Sequence, residues 1–161
     1  MKGGDAKSLS QRLREAQSKE EMDALIAQVP YAQFLGLDAE LTGTGDGETL
    51  ILRMPFHDRL IGDSTVPALH GGTVGALLES TAIFTVLRAT AATRMPKTVT
   101  LTVDYLRVGR GGETWASAVI TKKGRQIVIA RAEAWQEDRD KPIASANVHF
   151  LLRAPTTDAI S

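Results

Sequence analysis

Between His70 and Arg88 a single charged side chain, Glu79, interrupts a run of apolar and small residues from Gly71 to Leu87. The run contains no proline, and it reads as one helix that is apolar or small nearly all round. Such a helix is ordinarily buried by its own domain, so the remaining chain has to wrap it. Glu79 is the misfit. An ionised carboxylate in apolar surroundings costs roughly several kcal/mol unless it is paired, hydrated or protonated. A position at an edge, or an arginine from another element, would satisfy it structurally; the alternative is that chemistry uses it.

The start of the run bears on that choice. Pro67 keeps Ala68 to His70 out of a preceding helix, and Gly71-Gly72 allows a close approach by backbone or ligand. The first turn of a helix carries N–H groups without intrahelical partners and a partial positive charge. A Gly-Gly start bares those donors to an anion, or to a carbonyl becoming an oxyanion. Glycines here also serve plain tight packing, and a lone His70 is more often structural than catalytic. Spacing adds a further constraint. Gly71 and Glu79 lie eight residues apart, or roughly 12 Å along one helix axis at about 1.5 Å per residue. A carboxylate acting on a carbonyl carbon, or on the water that attacks it, works within roughly 3–3.5 Å. One helix therefore does not bring donor and acid to one carbon, whereas two antiparallel copies do. If the pair forms a site, it is shared between subunits of a two-fold dimer. The helical neighbours of Glu79 are Gly72, Gly75, Ala76, Ala82 and Ile83, mostly small, which leaves room for a partner or a thin substrate.

Leu69-His70-Gly71-Gly72 followed by a long apolar helix with its spaced acid resembles the hotdog-fold acyl-CoA thioesterases. The subgroup it resembles is the phenylacetyl-CoA thioesterase-like (PaaI-type) one, within the hydroxybenzoyl-CoA thioesterase superfamily. Leu60-Ile61-Gly62-Asp63 and Val103-Asp104-Tyr105-Leu106-Arg107 are similar to that subgroup as well, and the likeness covers about residues 31–153. The resemblance implies hydrolysis of an acyl-CoA thioester in a homodimer or a dimer of dimers. Gly71 would give its N–H to the thioester oxygen. Glu79 of the partner would be general base or nucleophile, and His70 would hold the loop or line the site. Ser64 stands where relatives often carry Asn or Gln to orient water or substrate; it reaches less far. Some relatives have Asp at the position of Glu79, and a Ser or Thr one turn later where this chain has Ile83. Gly72 and Asp63 would lie at the substrate, Ile83 and Phe84 with Leu87 would line the acyl pocket, and Arg107, Arg110 or Lys97 would meet the CoA phosphates. No cofactor is implied. Two other readings stay open: a hotdog protein that binds acyl-CoA or an aromatic ligand without hydrolysing it, and a hotdog hydratase. The latter usually needs an Asp and a His acting together, and no Asp lies in the central helix.

Composition bounds the rest. A chain of 161 residues with 43% apolar content buries one sizeable core. Nineteen basic and nineteen acidic residues cancel, so no overall field attracts nucleic acid or an anionic membrane. There is no cysteine, which excludes disulfides and a thiol nucleophile. His57, His70 and His149 are scattered, so no metal site is expected. No long uncharged stretch reads as a signal peptide or a span, and the expected address is the cytoplasm.

Leu9, Leu13 and Ala16, then Met22, Leu25, Ile26 and Val29, recur at helical spacing. Ser18 with Glu21 reads as a capping box opening a second helix near Lys19, which Pro30 stops. Residues 1–30 are thus expected to form a helical arm on the body or on a neighbour. Tyr31 to Leu35 is a short turn of helix. Leu37–Thr42 and Glu48–Met54 are strands joined by a glycine-rich turn, and His57–Val66 is a polar loop leading into the central helix. In Lys97–Val108, alternation sets Val99, Leu101, Val103 and Tyr105 on one face, with Thr98, Thr100, Thr102 and Asp104 on the other. Thr114–Lys122, Arg125–Gln136 and Ile143–Arg153 complete about six strands. The expected class is α+β: a curved antiparallel sheet around one long helix. The resemblance gives the same hotdog architecture over residues 31–153, with a loose start and a frayed tail over 154–161.

Overall fold

The computed structural model describes residues 7–43, 47–92 and 94–152. Three short helices, α1 (Leu9–Glu15), α2 (Lys19–Ile26) and α3 (Pro30–Leu35), precede strands β1 (Asp38–Thr42) and β2 (Thr49–Met54). A small hairpin of β3 (Ile61–Asp63) and β4 (Ala68–Leu69) leads into the long helix α4 (Gly71–Ala89). Strands β5 (Lys97–Tyr105), β6 (Thr114–Lys123), β7 (Ile127–Trp135) and β8 (Ala144–Leu151) follow.

Six strands form one antiparallel sheet in the order β1-β2-β6-β7-β8-β5. The register explains how α4 lies on it. One cross-strand row reads Ala39, Leu52, Ala116, Ala134, Ala144, Tyr105 from edge to edge. The next reads Ala118, Ala132, Ala146, Val103. The alanines of both rows are buried. Paired residues on adjacent strands point to the same side, so these rows form a floor of methyl groups on which a helix settles closely. On that floor α4 packs against β2, β6, β7 and β8 and also touches β5. Strands sit about 4.8 Å apart while a helix with side chains is only about 10–12 Å wide. Contact with five strands is thus the pattern of a sheet that curls around its helix.

Two irregularities assist the curl. In β6 the register slips between Ile120 and Lys122. In β5 it slips between Thr98 and Thr100, and this corrects the expected alternation. Thr98 pairs with Phe150, Leu101 with Val148 and Val103 with Ala146, so Thr98 shares the helix-facing side with Leu101 and Val103. Val99 is the extra residue of the slip and stands exposed. Period-two reading does not register an inserted residue.

The arm rests on its own chain. The Arg88 guanidinium on α4 donates to the Leu13 carbonyl at 2.7 Å and the Ala16 carbonyl at 3.2 Å, and pairs with Glu48. Leu13, Met22, Leu25 and Ile26 join the same apolar core as α4. Ser18 caps α2 by accepting from the Glu21 N–H, but the Glu21 carboxylate reaches back to the Gln17 N–H, one residue before the cap. Pro30 does not end α2, which stops at Ile26; it occupies the first turn of α3, where a missing N–H costs nothing. The expected polar loop at 57–66 contains a 3₁₀ turn (Asp58–Leu60) and β3. The tip of the expected β1–β2 turn, the first residues and the tail lie outside the described residues, but the pairing of Thr42 with Thr49 shows the hairpin.

Asp38 ties the arm to the sheet. Its carboxylate accepts from the Arg53 guanidinium at 2.7 Å and from the Lys19 ammonium at 3.3 Å. Partial burial pushes the Asp38 carboxyl up, but Arg53 and Lys19 outweigh this and hold it below its ordinary value. A depressed folded-state value stabilises above the ordinary carboxylate range and is lost as pH falls through it. Asp38→Asn is therefore expected to lower Tm at neutral pH. In melts across pH the gap to wild type should narrow progressively as pH falls below the ordinary carboxylate range. A gap that persists in acid would show that charge is not what Asp38 contributes.

Candidate active site

The start of α4 is fixed from both sides. The His70 N–H donates to the Leu60 carbonyl at 2.8 Å, and the Leu69 N–H to the Gly109 carbonyl at 2.8 Å, which brackets the helix tip between the β3 hairpin and the turn after β5. The first-turn donors can then be followed one by one. The Gly72 N–H donates to Nδ1 of His70 at 2.9 Å. The N–H groups of Thr73 and Val74 donate to the His70 carbonyl at 2.9 and 3.3 Å. Only the Gly71 N–H has no acceptor among the described residues. His70 is thus the N-cap of α4, with its Nδ1 unprotonated.

Tyr105 occupies the other side of the tip. Its hydroxyl donates to the Gly71 carbonyl at 2.7 Å. A Cβ built at Gly71 would lie 3.1 Å from the Tyr105 ring and hydroxyl oxygen, so any side chain there would push the ring back by a few tenths of an ångström. Sequence reading passed over Tyr105 as one member of a strand. The signal that could have found it is its place at the end of β5, where the chain returns beside the helix start.

Glu79 is half-buried on α4, with no hydrogen-bond or ion-pair partner among the described residues. The expectation that α4 is buried all round by its own chain is not met. Val74, Leu77, Leu78, Ala82, Phe84 and Leu87 are buried, but Gly72 is exposed, and Ala76, Glu79, Ser80 and Ile83 are only half-buried. An open stripe runs along the helix beside β5. On β5 and just beyond its end, too, apolar surface is uncovered: Val99, Tyr105 and Val108 are 60%, 57% and 65% exposed. β5 is an edge strand, paired only with β8.

The other expected site residues divide. Ile83 lies on the open stripe, but Phe84 is turned into the core, 1% exposed. Ser64 is exposed in the β3–β4 turn. The Asp63 carboxylate closes that turn by accepting from the Thr65 N–H at 2.8 Å and from its hydroxyl at 2.6 Å, contacts that hold its carboxyl below the ordinary value. Arg107 donates to the Pro142 carbonyl at 2.7 Å. It sits where two cavities meet: one of about 440 Å³ reaching Gly71 and Tyr105, and one of about 710 Å³ reaching Arg110 and Lys141. Lys141, paired with Asp138, was not anticipated. Lys97 stands at the far end of β5, about 26 Å from Tyr105 at about 3.3 Å per residue, and is remote from both cavities. Among the described residues no cluster of His, Asp and Glu is suited to a metal, and no helix is long and apolar enough to cross a membrane.

A long helix held in a curled six-stranded antiparallel sheet, with a glycine start and an acid at its middle, is the hotdog architecture of thioester-cleaving proteins. The Thioesterase superfamily matches residues 67–143, the helix and strands β5 to β7, and the chain resembles that family. A medium/long-chain acyl-CoA thioesterase, YigI of Salmonella typhimurium, is 26% identical over 144 residues, covering 81% of this chain and 90% of its own. A crystal structure of a Chromobacterium violaceum protein is 33% identical, covers 89% of this chain and 97% of that one, and has a TM-score of 0.67. A thioesterase from Haemophilus influenzae, 18% identical with 91% and 98% covered, shares the fold at a TM-score of 0.73.

Proposed function

We propose that two copies of this chain pair along β5 and α4 and hydrolyse an acyl-CoA thioester to a free acid and CoA. The observation that carries this reading is the half-buried Glu79, without a partner among the described residues, on a helix whose one first-turn donor without an acceptor among those residues is the Gly71 N–H. An unpaired sheet edge with exposed apolar side chains is a template for a second copy. Gly75 lies midway, four residues after Gly71 and four before Glu79. A two-fold axis passing there sets Gly71 of each helix opposite Glu79 of the other. Gly75 packs near Val103 and Tyr105 of β5, where a Cβ would lie 3.7–3.8 Å from them, so helix and strand edge meet one axis together.

In this arrangement the thioester oxygen accepts from the Gly71 N–H at the positive end of α4, where charge develops as the carbonyl carbon turns tetrahedral. The partner's Glu79 either takes a proton from the attacking water or adds to the carbon itself, forming an anhydride that water then opens. The C–S bond breaks and the CoA thiolate leaves, taking up a proton. Ser64 and Asp63 border the reacting centre from the β3–β4 turn, Ile83 lines the acyl side, and Arg107 and Arg110 face the cavities that would hold the CoA end. The catalytic unit spans residues 31–153, preceded by the arm over 1–30 and followed by a tail over 154–161. A PaaI-type assembly as a dimer of dimers and a cytoplasmic location belong to the same reading.

The purified protein is expected to release free thiol from medium-chain or aromatic acyl-CoA substrates, followed with a thiol-reactive chromophore. Binding of those substrates without release, across a broad panel of chain lengths, would replace the hydrolase with a carrier.

A further inference from the structure

The peptide joining Gly71 to Gly72 is held at both ends. Its carbonyl accepts from the Tyr105 hydroxyl at 2.7 Å, and its N–H donates to Nδ1 of His70 at 2.9 Å. These two bonds fix the plane of one peptide unit. Gly71 has no side chain, and the Tyr105 ring packs against its Cα; the peptide before it is held through the His70 carbonyl, which accepts from the Thr73 and Val74 N–H groups. The direction of its own N–H, which belongs to the preceding peptide, is set jointly by those helix bonds to the His70 carbonyl and by where the clamped unit holds the Gly71 Cα and carbonyl. The His70 side is itself confined: a Cβ at Gly62 would lie 2.8 Å from the His70 Cα, and one at Gly72 would lie 2.9 Å from Nδ1.

We infer that Tyr105 and His70 are positioning residues, which clamp the Gly71–Gly72 peptide and thereby aim the Gly71 N–H at the thioester oxygen. The inference rests on the hydrolase reading for its catalytic consequence, while the clamp itself is independent of it. His70 acts through its acceptor nitrogen rather than through proton transfer, and Tyr105 acts through its hydroxyl rather than through its ring. A donor that is misaimed stabilises the developing oxyanion poorly but binds the ground state almost as well, so the loss falls on kcat.

The test uses three full-length variants. Tyr105→Phe keeps the ring and removes the hydroxyl; kcat is expected to fall about ten- to a hundredfold, with KM within about twofold. His70→Ala should lower kcat by a similar factor. His70→Asn restores a side-chain acceptor at the N-cap and should recover most of the rate. Combining Tyr105→Phe with His70→Ala should cost little more than either alone, because both act on one peptide. Unchanged kcat in Tyr105→Phe, or an equal loss in His70→Asn and His70→Ala, would overturn the inference. Amide exchange reads the clamp without activity: Gly72 should be protected in wild type and His70→Asn and exchange faster in His70→Ala. Equal Gly72 exchange in all three would also overturn it. A wild-type protein that hydrolyses no acyl-CoA yet shows the protected Gly72 amide would sink the hydrolase reading and leave the clamp standing.

Discussion

Glu79→Gln is expected to abolish thioester hydrolysis, lowering kcat by about a thousandfold or more, while the fold and Tm are kept or slightly improved. Removing a general base alone typically costs about 10²–10⁴ in rate, and a lost nucleophile costs at least as much. The stability half of the expectation comes from the environment. Glu79 has no partner among the described residues and sits on a stripe of small and apolar neighbours. A neutral amide of the same shape removes the cost of holding a charge there and breaks no contact. Activity measured beside thermal melts decides the matter. A variant that keeps more than about a tenth of the rate would remove Glu79 from the chemistry, since that is far below what a base contributes. A variant that is inactive because it melts many degrees lower would make Glu79 a structural residue.

The second large effect separates a shared site from one held within a single copy. Gly71→Val places side-chain atoms where the Tyr105 ring already lies, 3.1 Å from the first carbon, and is expected to be inactive on its own. Glu79→Ala is also expected to be inactive. In a mixed dimer the intact Gly71 of one copy meets the intact Glu79 of the other, which restores one of the two sites. Equal mixing gives half mixed dimers with half their sites working, or about a quarter of the wild-type rate. The mixture is made by unfolding and refolding the two together, and mixed dimers are verified by differently tagged copies. Mixed dimers without recovered activity would overturn the shared site, and with it the geometric reason for two copies.

How much of this was legible beforehand depends on the range of the interaction involved. The long helix, its glycine start and the single acid are local properties: periodicity, absence of proline, one charge in a greasy run. All of them were read within a residue or two. The hairpin turns were legible for the same reason. What escaped reading depends on partners distant in the chain. Val99 was placed on the wrong face because a bulge in β5 inserts one residue without altering the alternation before or after it. Pro30 was read as a stop, whereas its locked backbone equally suits the first turn of a new helix. Phe84 was assigned to a pocket and lies in the core; only the placement of α4 on the sheet decides which apolar face is covered. Tyr105, at the end of β5, and Lys141, in the turn between β7 and β8, reach the Gly71 region and the adjoining cavity from far away in sequence, so no spacing joins them to it. The apolar run predicts a helix buried nearly all round, whereas the Glu79 side of α4 stays half-open, because hydrophobicity alone does not say how much of a helix its own sheet covers.

The floor of alanine methyls beneath α4 has a consequence for what such a protein accepts. The buried Ala116, Ala132, Ala134, Ala144 and Ala146 let helix and sheet lie close there, while a cavity of about 610 Å³ opens towards the C-terminal end of α4, lined by Leu50, Thr85, Arg88, Ala118 and Ile120. Over these methyl groups themselves a fatty tail has no room. If two copies pair as proposed, a fatty tail would run along their seam, and the length tolerated would be a property of the assembly rather than of the individual fold, tuned by side chains such as Ile83.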